Sequence, residues 1–420
     1  MTTRSIFQLF LHVGVVAALT ITSCNKKDVY DEEEHKKWTE ILSPIDSVDQ
    51  THTWKLATVY QLSVTANTQT GAKSVLILSA NPSMGNADIL ARAFISDGQT
   101  VNLSFSAPTL STQFVAAVLD AAGQYTLADF VAGQESVTVQ GTPVNVYTKM
   151  RPQTYTYCYN AEFPYPDNDY DYNDLVLRIS LERSAKKEVD IGVTLAAVGT
   201  NKQIAAAIRL DNYLITDIDS IVVVDGQGFS NDIPGQSYEI IDSKNTLVSG
   251  RNNEAVLNLF EDAHWSMGDR LSISYGLFLR KYYNVSSSTE GDYQLLSPRT
   301  VKYRVYFKDD SRLNNFSFDS IDPFIIEDYN GSFWEVHVNK HKFAQTMYEY
   351  TTSDIKNLPW AFEIPDANFR YPYQGVNIGF IKEGVTFGAY MTDGYSFGEW
   401  AEDHTKCTDW YLYPTKNMVY

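Results

Sequence analysis

The sequence predicts an all-β protein of two mainly antiparallel sandwich domains, with a few short helices, behind an N-terminal tether. Three observations predict it. From about residue 54 onward, apolar and polar residues alternate in short runs bounded by turn formers. Helix-period signals are confined to a few residues each. No internal repeat, heptad run or low-complexity tract interrupts the pattern.

The first 23 residues read as a signal segment. Arg4 precedes an apolar run over residues 7–18 that Gln8 and His12 interrupt, too short for a membrane span. It ends at Ile21-Thr22-Ser23-Cys24, where a small residue before a cysteine resembles the lipobox of bacterial lipoproteins. That resemblance implies cleavage before Cys24 and its acylation, so the membrane is a partner through a lipid anchor. Residues 24–53 are mainly polar, with Asp31-Glu32-Glu33-Glu34 at their centre. They bury too little to offset chain entropy and read as a flexible acidic tether. An acidic stretch soon after the lipidated cysteine resembles a surface-export signal, but Lys26 and Lys27 precede the acids. Cell-surface and periplasmic orientation at the outer membrane both stay open.

The first domain spans residues 54–148. Strands are expected at 59–64, 74–78, 101–105 and 137–139, separated by Asn81-Pro82, Asp97-Gly98 and Ala122-Gly123. Short helices are expected at 87–93 and 127–131. A boundary falls near 141–152, and the second domain, residues 149–420, follows. Its strands are expected at 175–181, 189–196, 221–224, 255–260, 271–278 and 301–307, with short helices at 343–348 and 396–401. Gly226-Gln227-Gly228 lacks the strand, helix and third glycine of a dinucleotide site.

The chain carries 33 basic and 51 acidic side chains, a formal charge of −18. Loss of residues 1–23 removes only Arg4 among them and takes the charge to −19. Nucleic acid is excluded as a partner, because phosphate backbones need clustered Lys and Arg. Cys158 and Cys407 can pair in an oxidising compartment or stay as free thiols; there is no CxxC or Cys/His metal spacing.

The densest chemistry is at residues 167–174, Asp-Asn-Asp-Tyr-Asp-Tyr-Asn-Asp, which run into the apolar Leu175-Val176-Leu177. Short carboxylates and amides favour turns, so this is a loop delivering the chain into a strand. Carboxylates this close repel one another unless a cation sits among them, and Ca²⁺ suits an all-oxygen set where zinc would want His or Cys. The EF-hand template fails: counting from Asp169, position 6 is Asp174 rather than Gly and position 12 is Ser180 rather than Glu. Asp169, Asp171, Asn173 and Asp174 are therefore candidate ligands of a structural Ca²⁺ in a β-loop, with Asp167 and Glu162 as auxiliary ligands. The competing reading is a cluster of Asx-turns bonded to local amides.

The stretch 163–176, Phe-Pro-Tyr-Pro-Asp-Asn-Asp-Tyr-Asp-Tyr-Asn-Asp-Leu-Val, resembles the signature of LruC-domain lipoproteins of the Bacteroides group. Similar blocks follow in order: residues 193–199, 203–210, 260–265, 359–361, 369–372, 397–401 and 409–411. The resemblance covers roughly residues 150–420 and implies a β-rich cell-envelope lipoprotein domain of no established activity. Two departures matter. Asn168 replaces the family's glycine, as the best substitute in a left-handed backbone. Asn160-Ala161 stands where relatives carry Glu-Asp, so one carboxylate is missing from the ligand set.

Of the histidines, His264 beside Trp265, and His337 with His341, are the most site-like. The latter pair would share a face only on a helix, whereas residues 334–338 alternate like a strand. Tyr371, Tyr373, Trp400, Trp410 and Tyr411 are expected mostly in the core, with a minority available to stack on sugar rings. No catalytic residue is assigned. The favoured function is a non-catalytic binding or adhesion lipoprotein that engages glycan or protein. The alternatives are a surface glycoside hydrolase, with Glu261 or Asp262 as acid/base beside His264 and Trp265, and a structural subunit of a surface appendage.

Overall fold

The computed structural model describes residues 47–162, 169–229, 245–268, 280–329, 332–343, 358–379, 388–392 and 395–420. Cys24, Asp167, Asn168, the strand expected at 271–278 and the helix expected at 343–348, beyond Phe343, lie outside them. The all-β class holds.

Eight strands come first: β1 (Ala57–Ala66), β2 (Ser74–Leu78), β3 (Asp88–Phe94), β4 (Thr100–Pro108), β5 (Gln113–Leu119), β6 (Tyr125–Val131), β7 (Ser136–Val139) and β8 (Arg151–Pro152). They form a three-stranded sheet, β4-β1-β7, and a five-stranded sheet, β6-β5-β2-β3-β8. Leu62, Val64, Val75, Ile77, Phe105 and Phe114 meet in one core. The other face of β2 packs Leu76 and Leu78 against Val115 and Ala117, so this strand is buried throughout.

The helices expected at 87–93 and 127–131 are strands β3 and β6. Ala, Leu and Arg in β3 favour a helix locally, but Ala91 pairs with Ile77 of β2, and Phe130 of β6 with Phe114 of β5. Sheet pairing outweighs a propensity of a few tenths of a kcal/mol per residue. Strand β5 was not anticipated, because its run Phe114-Val115-Ala116-Ala117-Val118 is buried on both faces and does not alternate.

The second part contributes β9 (Thr154–Tyr159), β10 (Leu175–Ala185), β11 (Glu188–Ala197), β12 (Ile204–Leu214), β13 (Ile218–Asp225), β14 (Leu247–Ser249) and β15 (Glu254–Phe260). Helix α1 (Ala263–Met267) is followed by β16 (Tyr282–Tyr283), β17 (Tyr293–Gln294), β18 (Arg299–Phe307), β19 (Ile321–Tyr329), β20 (Ser332–His337), β21 (Ala361–Ile364), β22 (Met391–Thr392), β23 (Tyr395–Ser396) and helix α2 (Phe397–Glu402). A six-stranded sheet, β13-β18-β11-β10-β9-β21, and a five-stranded sheet, β14-β15-β12-β19-β20, share one core through residues such as Ile179, Val193, Ile208, Leu257 and Ile325. Ser396 caps α2 by accepting from the Glu399 amide at 3.0 Å, which fixes the helix start predicted at residue 396.

The segment entering β1 belongs to this second core. Val48, Trp54 and Leu56 are buried in it, although residues up to 53 were expected to form a flexible tether. His52 stacks on Trp54 at 4.0 Å and meets the edge of Trp400 at 4.4 Å. Its Nδ1 accepts from the Trp54 amide at 2.8 Å, and its Nε2 donates to the Trp400 carbonyl at 3.0 Å. Aromatic area and the His52–Trp400 hydrogen bond hold this strap on α2, and the bond from the Trp54 amide orients the ring.

Candidate metal centre

β9 and β10 pair antiparallel, with Tyr159 opposite Leu175, so the acidic segment is the connection at one end of this pair. Tyr170 and Tyr172 sit at φ 57° and 53°, a left-handed backbone that aromatic residues rarely adopt. Both rings are buried; the Tyr172 hydroxyl donates to the Pro359 carbonyl at 2.9 Å, and its ring lies 4.5 Å from Phe362. Core packing of the two tyrosines thus offsets a strain of about 1–2 kcal/mol per residue.

The winding places the acids among backbone amides. Glu162 accepts from the Asp169 amide at 2.9 Å, Asp169 from Asp171 at 3.3 Å, and Asp171 from Asn173 at 3.2 Å. Asp171 also accepts from the Gly375 amide at 2.9 Å, and Asp174 from Ala161 at 2.5 Å. The Asx-turns are therefore present. They do not compensate the charge: burial first, then neighbouring carboxylates, hold Glu162 and Asp171 well above the ordinary carboxylate range. Burial also raises Asp169 and lifts Asp174 to about 7. Lys202 is the cation whose charge works against this rise at Glu162 and Asp174, and its ammonium is already 2.6 Å from Glu327.

Of the predicted ligands, Glu162, Asp169, Asp171, Asn173 and Asp174 are among the described residues, tied to the loop backbone by the hydrogen bonds above. Asn173 is fully buried; its Nδ2 donates to the Pro372 carbonyl at 3.0 Å, and its Oδ1 has no hydrogen-bond partner. The Gln374 Oε1 is buried without a partner as well. Both oxygens crowd Gly199, where a Cβ would stand 1.8 Å from Asn173 Oδ1 and 2.7 Å from Gln374 Oε1. The donor set is all oxygen and hard, which fits Ca²⁺. Among the described residues, the trios of carboxylate or imidazole ligand atoms within 4.8 Å of one another are Asp49-Asp403-His404 and Asp211-Asp322-His341. The carboxylates of the described loop residues form no such trio.

Gly199, Lys202, Gln374 and Gly375 were not foreseen as parts of this site. They lie 25 to 201 residues beyond Asp174, and only the family-like blocks at 193–199, 203–210 and 369–372 pointed to their neighbourhoods.

Of the acid/base candidates at residues 261–265, Asp262 and His264 hold neighbouring elements together. Asp262 caps α1 by accepting from the His264 and Trp265 amides and pairs with Arg280 at 3.0 Å. His264 is fully buried, receives Arg280 at Nδ1 and donates Nε2–H to the Thr200 carbonyl at 2.8 Å. Glu261 and Asp262 are both buried rather than facing each other across an open cleft. His337 ends β20, as the alternation predicted, between Asp322 at 2.8 Å and Glu335 at 3.3 Å. Tyr371, Trp400, Trp410 and Tyr411 are buried core, while Tyr373 is half-buried. Cys158 and Cys407 are not joined to each other in a disulfide.

A family model described as "Domain of unknown function (DUF4842)" matches residues 186–411. No curated protein matches the chain. Among solved structures, the chain is similar to a crystal structure described as that of a putative lipoprotein from Bacteroides ovatus. The two share 14% identity over 83% of this chain and 99% of the other, with a TM-score of 0.52. At that identity the likeness concerns the fold. Among the described residues, no helix is long and apolar enough to cross a membrane.

Proposed function

Since the chain belongs to the DUF4842 family, of unknown function, we propose that it is an outer-membrane lipoprotein of non-catalytic binding or adhesion type, with a LruC-like body stapled by Ca²⁺ at the Asp169–Asp174 turn. The observations that support the metal reading are the buried carboxylates Glu162, Asp169, Asp171 and Asp174, held above the usual carboxylate range, and the buried Asn173 Oδ1 in the same turn, which has no hydrogen-bond partner. A divalent cation would supply the positive charge that the backbone amides do not. The site's role is structural: Gly375 and Pro372 tie the loop to residues 371–379, and the Ile378 amide bonds the Tyr170 carbonyl at 2.9 Å. Filling it would lock the carboxy-terminal segment onto the β9–β10 connection.

The signal segment and Cys24 support acyl anchoring, with the body presented to a glycan or protein ligand at the cell surface or the periplasmic face. Two measurements test these parts separately. Calorimetric titration of metal-free protein with CaCl₂ should show saturable binding that Asp171→Asn abolishes; equal heats for both proteins would remove the metal reading. Mass spectrometry of the mature amino terminus should find acyl groups on Cys24, and an unmodified chain would remove the anchor.

A further inference from the structure

The histidine that the sequence paired with His337 instead meets two aspartates from other strands. Asp211 lies on β12, Asp322 on β19, and His341 in the turn after β20. Pairing of β12 with β19 sets Arg209 opposite Asp322. Arg209 then occupies one oxygen of each acid, Asp322 Oδ2 at 2.7 Å and Asp211 Oδ1 at 2.8 Å. His337 Nδ1 also lies 2.8 Å from Asp322 Oδ2. Oδ2 thus faces both cationic side chains, and Asp322 Oδ1 is left without a hydrogen-bond partner.

His341 is oriented by the second acid. Its Nδ1 stands 3.0 Å from Asp211 Oδ2, and since a carboxylate only accepts, Nδ1 carries a proton; in the neutral ring Nε2 then presents its lone pair. His341 Nε2 and Asp322 Oδ1 are both buried, neither has a hydrogen-bond partner, and they face each other at 3.6 Å. With the ring neutral, two lone-pair atoms face each other at that distance, and a proton or a metal cation between them removes the repulsion. Zinc bonds to histidine nitrogen and carboxylate oxygen of about 2.0–2.2 Å, meeting at tetrahedral or slightly wider angles, span roughly 3.3–3.7 Å. A carboxylate behind the far nitrogen of a ligating imidazole is the usual support of such a site. Asp211, Asp322 and Glu254 surround the buried guanidinium of Arg209, His337 lies between Asp322 and Glu335, and Arg251 and Lys342 approach from the exposed rim.

We propose that His341 Nε2 and Asp322 Oδ1, with Asp211 positioning the imidazole, form a second cation site, taking a divalent transition ion, zinc by preference. It is chemically distinct from the all-oxygen loop, because an imidazole ligand selects against Ca²⁺.

The test titrates metal-free, Ca²⁺-saturated protein with ZnCl₂, in a His404→Gln background that removes the surface trio Asp49-Asp403-His404. One zinc equivalent should bind. His341→Gln should abolish that binding, and Asp211→Asn, which loosens the ring and weakens the pair with Arg209, should weaken it by roughly tenfold. Asp171→Asn in the loop should leave it unchanged. Cobalt(II) in place of zinc should give visible absorption bands that His341→Gln loses, and melts of each variant establish that it is folded. Zinc affinity and cobalt spectrum unaltered in folded His341→Gln, or no zinc uptake by the parent, would overturn the proposal.

Discussion

Gly199→Ala puts the geometry of the acidic loop to a quantitative test. The new Cβ would stand 1.8 Å from Asn173 Oδ1, 2.7 Å from the Asn173 backbone oxygen and 2.7 Å from Gln374 Oε1. Gln374 has a long side chain and can withdraw. Asn173 cannot do so freely: rotating its amide breaks the 3.0 Å bond to the Pro372 carbonyl inside the protein, and its backbone oxygen moves only with the loop. Overpacking costs about 1–3 kcal/mol, and a lost buried hydrogen bond about 1 kcal/mol more, so the variant should lose about 3 kcal/mol. At roughly 2–4 °C per kcal/mol, the melting temperature should fall by about 6–12 °C. Guanidinium denaturation and differential scanning fluorimetry read both quantities. Gly228→Ala, whose Cβ would meet only Val223 Cγ2 at 3.6 Å, is the control and should stay within about 0.5 kcal/mol of the parent. A Gly199→Ala protein as stable as that control would refute the packing of Asn173 against Gly199.

Other perturbations separate electrostatics from packing. Asp171→Asn removes one of the mutually repelling charges, so in chelator the variant should be more stable than the parent by roughly 1 kcal/mol or more, and in Ca²⁺ it should lose the parent's gain; destabilisation in both conditions would argue for a purely hydrogen-bonding Asp171. Burial lowers His52 from its usual 6.5 to about 4. Below pH 6.5 the unfolded chain takes up a proton that the folded one refuses until about pH 4, so stability falls across that window and levels off below it. The full shift corresponds to about 3 kcal/mol, and solvent screening of the partly exposed ring reduces it to about 1–2 kcal/mol. In His52→Gln the slope over this window should shrink, and an unchanged pH profile would count against the strap. Asp262→Ala leaves Arg280 buried without its carboxylate and uncaps α1, so chemical denaturation should show a loss of about 3–5 kcal/mol; a loss below 1 kcal/mol would contradict the structural role given to this acid.

Much of the strand pattern was legible because one face of most strands is buried and the period of two survives in the sequence. Strand β18 alternates buried and half-buried residues from Val301 to Phe307 and was read directly. The failures fall where this contrast disappears. β5 is apolar on both faces, and β3 carries helix-favouring residues whose state is decided by pairing with β2. In the loop, Asp169, Asp171, Asn173 and Asp174 were legible because they are consecutive or alternate residues. The rest was not: Gly199 and Gln374 reach Asn173 only through the folded sheets. The same holds for Asp211, Asp322 and His341, which local spacing could not connect, and for Val48 and Trp54, whose burial depends on the helix at Phe397–Glu402.

The most direct measurement is the melting temperature of metal-free protein in chelator, in millimolar Mg²⁺ and in millimolar Ca²⁺. Ca²⁺ at a hundredfold excess over its Kd should stabilise the fold by about 2.7 kcal/mol, a rise of roughly 5 °C or more, with Mg²⁺ giving less because it demands a tighter octahedral shell. Identical melting curves in chelator and in Ca²⁺ would contradict the reading of Glu162, Asp169, Asp171, Asn173 and Asp174 as a cation staple.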